Sequence, residues 1–217
     1  MELSQALRTT GSTREFTDER VDDATIMAIL DDARFAPSGG NRQPWRIAVV
    51  KDPTIRRRLA DLMTDVWHEY LGESTDPTRA PFAFGRSSGA APVAAPNPLL
   101  ENIEDVPVVL VLAANLAKIA LMDANTTTRP PITGGASVYP FAWSILLAAR
   151  ARGLSGVLTT FLSRAEAQAA PDVGLPPGHA IAGTIFLGHP TRLATKLRRD
   201  EVASFATIDR FDGEPLT

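Results

Sequence analysis

An α+β domain is the fold class that this sequence predicts, and three observations carry the prediction. Helical and strand-like stretches are interspersed without the regular alternation of a doubly wound sheet. Val106 to Ala113 is a continuous apolar run, the pattern of a strand buried on both faces. Ala136 to Arg152 is apolar nearly all round, as a central helix should be. The 217 residues suit one domain with a generous insertion, and no internal repeat is present.

The elements follow in order. Leu3 to Thr9 can form a short helix, which Gly11 interrupts. Asp22 is an N-cap for a helix that places Ile26, Ile29, Leu30 and Ala33 on one face and is stopped by Pro37. Ile47 to Val50 reads as a buried strand. Asp52-Pro53 opens a long helix with Ile55, Leu59, Leu62, Met63 and Val66 inward, and the run Arg56 to Arg58 reads as its solvated face. Gly72 to Asp105 is rich in Pro, Ala, Gly and Ser and reads as an irregular insertion. Loops of this length serve as lids, binding loops or disordered excursions, and Phe82 and Phe84 give this one apolar docking residues. Gly134-Gly135 opens the central helix. Ser155 to Phe161 is a strand, Ser163 to Glu166 is a capping box for a short helix, and Ala180 to Leu187 is the last strand. Beyond Pro190 the tail carries Phe205, Ile208 and Phe211 without a periodic face, so a partner subunit is the expected support.

Composition narrows the function. Lys and Arg number 22 against 25 Asp and Glu, which argues against a dedicated binder of nucleic acid or anionic membrane. The absence of cysteine excludes thiol catalysis, iron–sulfur clusters and disulfides, so redox chemistry must come from a cofactor. MELSQALRTT lacks the apolar core of a signal peptide, and a cytoplasmic protein is expected. GxGxxG, P-loop and GxSxG patterns are absent. His68, His179 and His189 share no metal-ligating spacing, and no metal site is expected.

Two segments are candidates for chemistry. In TTGSTREF, Ser12 and Arg14 offer a hydroxyl and a guanidinium suited to a phosphate or an electron-rich ring edge. In APSGGNRQPW, Pro37 ends a helix and Ser38, Gly39, Gly40 and Asn41 form a turn. Its glycines let backbone amides approach a flat ligand, although a plain surface turn fits equally well.

In this order the two segments resemble the amino-terminal signature of the nitroreductase family of flavin enzymes, with Pro37, Ser38, Asn41, Gln43, Pro44 and Trp45 matching its second motif. The resemblance continues through Gly135-Ala136-Ser137, GLSGVLTTF, Leu187 to Pro190 and a basic tail. It implies an α+β homodimer with a mainly antiparallel sheet, a tail exchanged between subunits, and FMN at the interface. Ser12 and Arg14 then face the ligand. Pro37, Ser38, Gly39, Asn41 and Gln43 line the ring, and a backbone N–H near Thr159 or Thr160 faces flavin N5. Lys196, Arg198 and Arg199, a solvated tail by composition alone, fall where the family holds the phosphate. Arg14 takes the electronic role, because a cation beside N1 and O2 stabilises a reduced, anionic flavin. The chain departs from the family at Thr10 and Gly11, where arginine is usual, and at Trp143 and Ser144, where a Gln-Asn pair is frequent.

The implied activity is hydride transfer from NADH or NADPH through FMN to a nitroaromatic, quinone or similar small acceptor, in ping-pong fashion. A flavin-binding storage or sensing protein without turnover is the alternative.

Overall fold

The computed structural model describes residues 1–73 and 91–217. Seven helices and four strands are present among them: α1 (Leu3–Thr9), α2 (Asp23–Ala33), β1 (Trp45–Val49), α3 (Pro53–Glu73), α4 (Pro98–Glu101), β2 (Val108–Asn115), α5 (Tyr139–Ala151), β3 (Ser155–Thr159), α6 (Phe161–Arg164), α7 (Glu166–Val173) and β4 (His179–Gly188). The strands form one antiparallel sheet in the order β1-β2-β4-β3. The α+β expectation holds.

β2 organises the sheet. Val108, Leu110, Leu112 and Ala114 face α2 and α5, where they pack with Ile29, Ala142 and Ile145. Val109 and Val111 face the opposite layer, with Leu59, Met63, Leu100, Ile103, Leu162 and Phe186. A bulge on β4 breaks the pairing between Leu112 opposite Gly183 and Ala113 opposite Ile181, leaving Ala182 unmatched. Trp45 stacks on Phe141, with ring centroids 4.6 Å apart.

Local chemistry explains the helix starts. Asp22 accepts the Thr25 N–H at 2.8 Å, and Asp52 accepts those of Thr54 and Ile55. The central helix begins later than its sequence suggests: Thr133–Ser137 is a tight 3-10 turn, and the α-helix starts beside Pro140. α5 is not buried all round, because Tyr139 and Trp143 leave an exposed aromatic stripe.

Three other expectations fail for physical reasons. Arg56 is no solvated cation: it donates to the carbonyls of Val50 (2.8 Å), Val106 (2.7 Å) and Pro107 (3.4 Å), stapling α3 to the entry of β2. Arg57 donates to the Leu100 carbonyl at 2.6 Å, while Arg58 pairs with Asp172. The capping box does not form, since Ser163 sits inside α6 and the Glu166 carboxylate accepts the Ile181 N–H, tying α7 to β4. The end of the proposed insertion is ordered, because Leu99, Leu100 and Ile103 bury themselves against α3. The middle of that insertion, with Phe82 and Phe84, lies outside the described residues.

Between β2 and α5 the chain makes a loop held by Asp123. Its carboxylate accepts from Arg129 Nη1 (2.6 Å), the Ile132 N–H (2.8 Å), and the Thr133 hydroxyl (2.6 Å) and N–H (3.3 Å). In the tail, Thr191 N–H bonds the Glu15 carbonyl, Val202–Ser204 makes one turn, and Phe205, Ile208 and Phe211 are exposed. No helix among the described residues is long and apolar enough to cross a membrane.

Two stability predictions follow from these contacts. Arg56→Met should cost about 2 to 4 kcal/mol in urea unfolding, because buried carbonyls lose a charged donor, whereas Arg58→Ala should cost under about 1 kcal/mol. Equal costs would return Arg56 to the surface. The Asp123 carboxyl is held well below the usual carboxylate range, first by the Thr133 hydroxyl and then by the Ile132 N–H and Arg129. A depressed folded pKa gives stability that is present above the unfolded value of about 3.9 and is lost as pH falls toward the folded one. The urea midpoint should therefore fall from about pH 5 to about pH 2.5, and Asp123→Asn should flatten that fall. An unchanged slope would show that Asp123 does not hold the loop.

Candidate functional site

The segment after α1 is fixed against the edge of the sheet. The Thr13 N–H donates to the Gly156 carbonyl at 2.9 Å, the Thr13 and Ser155 hydroxyls lie 2.7 Å apart, and Ser12 bridges Gly156 in parallel fashion. The β3 edge thereby acquires a short partner, and Arg14 emerges just beyond it. Thr10 is buried and donates its hydroxyl to the Ala6 carbonyl.

Arg14 lines a cavity of about 530 Å³ with Trp67, Tyr70, Asn97, Thr159, Thr160 and Phe161. Its guanidinium has no hydrogen bond or ion pair among the described residues, and neither has the Asn97 side-chain amide. The Thr159 hydroxyl is buried without a partner among the described residues. Trp67 and Tyr70 stack at 5.9 Å, with the Phe161 ring 6.0 Å from Tyr70. The cavity therefore combines an aromatic cluster with an uncommitted cation and the end of β3. Such a cavity suits a flat, electron-rich ring.

The sequence reading placed Arg14, Thr159 and Thr160 together, and the structure does so. It missed Trp67, Tyr70 and Asn97. The i, i+3 aromatic pair on α3 was a usable signal, because those two rings must share one face. Asn97 was masked by the surrounding prolines.

The second motif lies elsewhere. Ser38 Oγ accepts the Gln43 N–H at 3.0 Å, the Gly39 N–H donates to Ser137 Oγ at 3.0 Å, and Gln43 Nε2 donates to Asn41 Oδ1. Gly40, Asn41 and Gln43 all have positive φ, a conformation disfavoured for the two non-glycine residues. Strain concentrated in an exposed turn is a mark of a functional segment. This turn leads into β1, the sheet edge opposite β3, so roughly three strand spacings, about 14 Å, separate the two halves. No residue from 37 to 43 borders the Arg14 cavity. One protomer does not bring the two motifs together.

In the tail, Leu197 and Ala194 pack on Gly11, where an added Cβ would lie 2.9 Å from Leu197 Cδ2. This contact brings Lys196 and Arg198, the neighbours of Leu197, alongside the Ser12 turn. Lys196, Arg198 and Arg199 are exposed, and Arg199 donates to the Arg198 carbonyl. A larger cavity of about 840 Å³, near Arg20, Lys51 and Glu104, collects none of the predicted site residues. Among the described residues no three His, Asp or Glu side chains cluster as a metal would require.

Comparison with known proteins identifies the fold and the family. A 5,6-dimethylbenzimidazole synthase of Rhodospirillum rubrum is 28% identical over 177 residues, covering 82% of this chain and 76% of its own. A Desulfovibrio desulfuricans protein solved in complex with FMN superposes with a TM-score of 0.67 at 20% identity, covering 97% of this chain and 98% of its own. The NADPH:FMN oxidoreductase of Vibrio harveyi, complexed with NAD+, also gives 0.67, at 19% identity over 96% of this chain and 77% of its own. These two likenesses establish a shared fold. The sequence profile of the Nitroreductase family matches residues 7–189, and the chain belongs to that family.

Proposed function

We propose that this chain is an FMN-dependent NAD(P)H oxidoreductase of the nitroreductase family, acting as a homodimer with one site at each end of the interface. The observation that carries the reading is the uncommitted Arg14 guanidinium in an aromatic-walled cavity at the end of β3. The residues present fit the cofactor, because a cation without a partner among the described residues and an orphaned buried hydroxyl are donors that a flavin's polar edge requires. FMN when bound supplies the hydride chemistry.

The chain's own residues bind and orient. Arg14 offers positive charge to the pyrimidine edge, and Ser12 with Lys196, Arg198 or Arg199 offers donors to the phosphate. Pro37, Ser38, Gly39, Asn41 and Gln43 of the partner subunit cover the ring, which the opposite-edge placement of the two motifs supports. The tail's exposed aromatics suit contact with that partner. NADH or NADPH and a nitroaromatic, quinone or similar acceptor take turns in the same space, the basis of ping-pong turnover. A cytoplasmic place of action is part of the same reading.

The experiment is an absorbance spectrum of the purified protein followed by anaerobic NADPH. Bleaching of the flavin band is expected; stable colour would leave a flavin-binding protein without turnover, and a colourless protein that rejects FMN would end the reading. Light scattering should give a dimer, and a flavin-loaded monomer at micromolar concentration would remove the shared site. Arg14→Ala should lower the two-electron potential by roughly 30 to 60 mV, the equivalent of losing a charged hydrogen bond of about 1.5 to 3 kcal/mol. An unchanged potential would assign Arg14 to structure.

A further inference from the structure

The turn from Ser38 to Gln43 is held to the rest of the fold at its two ends. At its entry the Gly39 N–H donates to Ser137 Oγ at 3.0 Å. At its exit the Asn115 N–H donates to the Pro44 carbonyl at 2.7 Å, and Trp45 stacks on Phe141, one helical turn beyond Ser137. Between these mounts stand Gly40, Asn41 and Gln43, with φ of 60°, 51° and 47°. Left-handed backbone at two non-glycine residues persists only where the surroundings impose it. Among the described residues, the other hydrogen bonds of residues 38–43 stay within the turn: the Asn41 N–H donates to the Ser38 carbonyl, the Gln43 N–H to Ser38 Oγ, and Gln43 Nε2 to Asn41 Oδ1. Internal bonds survive when a turn tilts as a unit, so its direction at the entry depends on the bond from Gly39 to Ser137.

Ser137 is itself firmly placed. It ends the 3-10 turn Thr133–Ser137, whose first residue gives its hydroxyl and N–H to Asp123 at 2.6 and 3.3 Å. The following residue, Val138, is buried, and its N–H donates to the Gly135 carbonyl at 2.9 Å. A hydroxyl fixed on both sides is a rigid acceptor, the kind of support that a ligand-facing segment needs to keep its geometry within a fraction of an ångström. We propose that Ser137 is a positioning residue for the flavin ring: by holding the Gly39 N–H it sets the orientation in which Asn41 and Gln43 are presented. This rests on the flavoenzyme reading above, in which the turn covers the ring. The role belongs to the hydroxyl, because alanine at this position would leave the Gly39 N–H to water and the turn free to tilt about its exit.

The test compares wild type, Ser137→Ala and Ser137→Thr by FMN titration and, in the FMN-loaded proteins, by hydrogen–deuterium exchange. Ser137→Ala should speed exchange across residues 38–43 by roughly three- to tenfold, leave exchange in β2 unchanged, and weaken FMN binding by a similar factor, the effect of one hydrogen bond. Ser137→Thr keeps the hydroxyl and should restore both. Weaker FMN binding with unchanged exchange across 38–43 would set the hydroxyl against the ligand and overturn the positioning role. Faster exchange with unchanged FMN affinity would leave the bond structural, and faster exchange in β2 as well would mean general destabilisation; either overturns it, as does a defect that threonine does not restore or no change at all. All of these leave the flavoenzyme reading intact, whereas failure of wild type to hold FMN would overturn both.

Discussion

Burial of β2 on both faces is the constraint on which the architecture depends. From Val108 to Ala114 every side chain is apolar and buried, so the strand needs hydrogen-bonding neighbours on both edges and a helical layer on each face. β1 and β4 provide the neighbours, α2 with α5 one layer, and α3 with α4, α6 and α7 the other. With β2 internal, β1 and β3 become the outer strands. Both chemically distinctive segments attach there, one leading into β1 and the other laid along β3.

That placement has consequences for assembly. A strand running the other way at either edge would have brought the motifs to different ends of the sheet; with β1 and β3 antiparallel, the start of one and the end of the other lie at the same end. The two motifs therefore lie at the same end of the sheet but laterally apart, an arrangement that on the proposed function a two-fold axis closes. On the proposed function, the exposed Tyr139 and Trp143 on α5 and the exposed aromatics of the tail are apolar surface available to such closure. On the proposed function, fold and dimer are inseparable, since each protomer holds halves of two different sites.

What the sequence disclosed and what it hid divide along physical lines. Periodicity and caps are local, so α1, the Asp22 cap, the α3 face and the β2 run were legible, and the Arg14–Thr159–Thr160 grouping was legible through the family resemblance. Arg56 was hidden because its carbonyl partners lie about 50 residues away or at the end of a neighbouring strand, and a run of arginines on a helix does not reveal which one points inward. Glu166 was hidden for a related reason: its capping-box spacing is real, but a buried β4 amide competes for the carboxylate and wins. The ordered stretch from Pro98 to Asp105 was lost in a composition dominated by proline, although Leu99, Leu100 and Ile103 carry its burial.

Gly11 shows how one substitution relative to the family pattern can redistribute a binding task. A Cβ there would lie 2.9 Å from Leu197 Cδ2, so a side chain at this position would have to turn Leu197 aside, and the glycine serves to seat the tail. Thr10 is equally committed, buried with its hydroxyl spent on the Ala6 carbonyl. The first element consequently keeps only Ser12 and Arg14 for an anion, and Arg14 is directed into the aromatic cavity. The same contact that seats Leu197 on Gly11 draws Lys196 and Arg198 to the flank of the Ser12 turn. On the proposed function, positive charge for the phosphate has moved from the first element to the tail, and phosphate binding and tail docking have become one event.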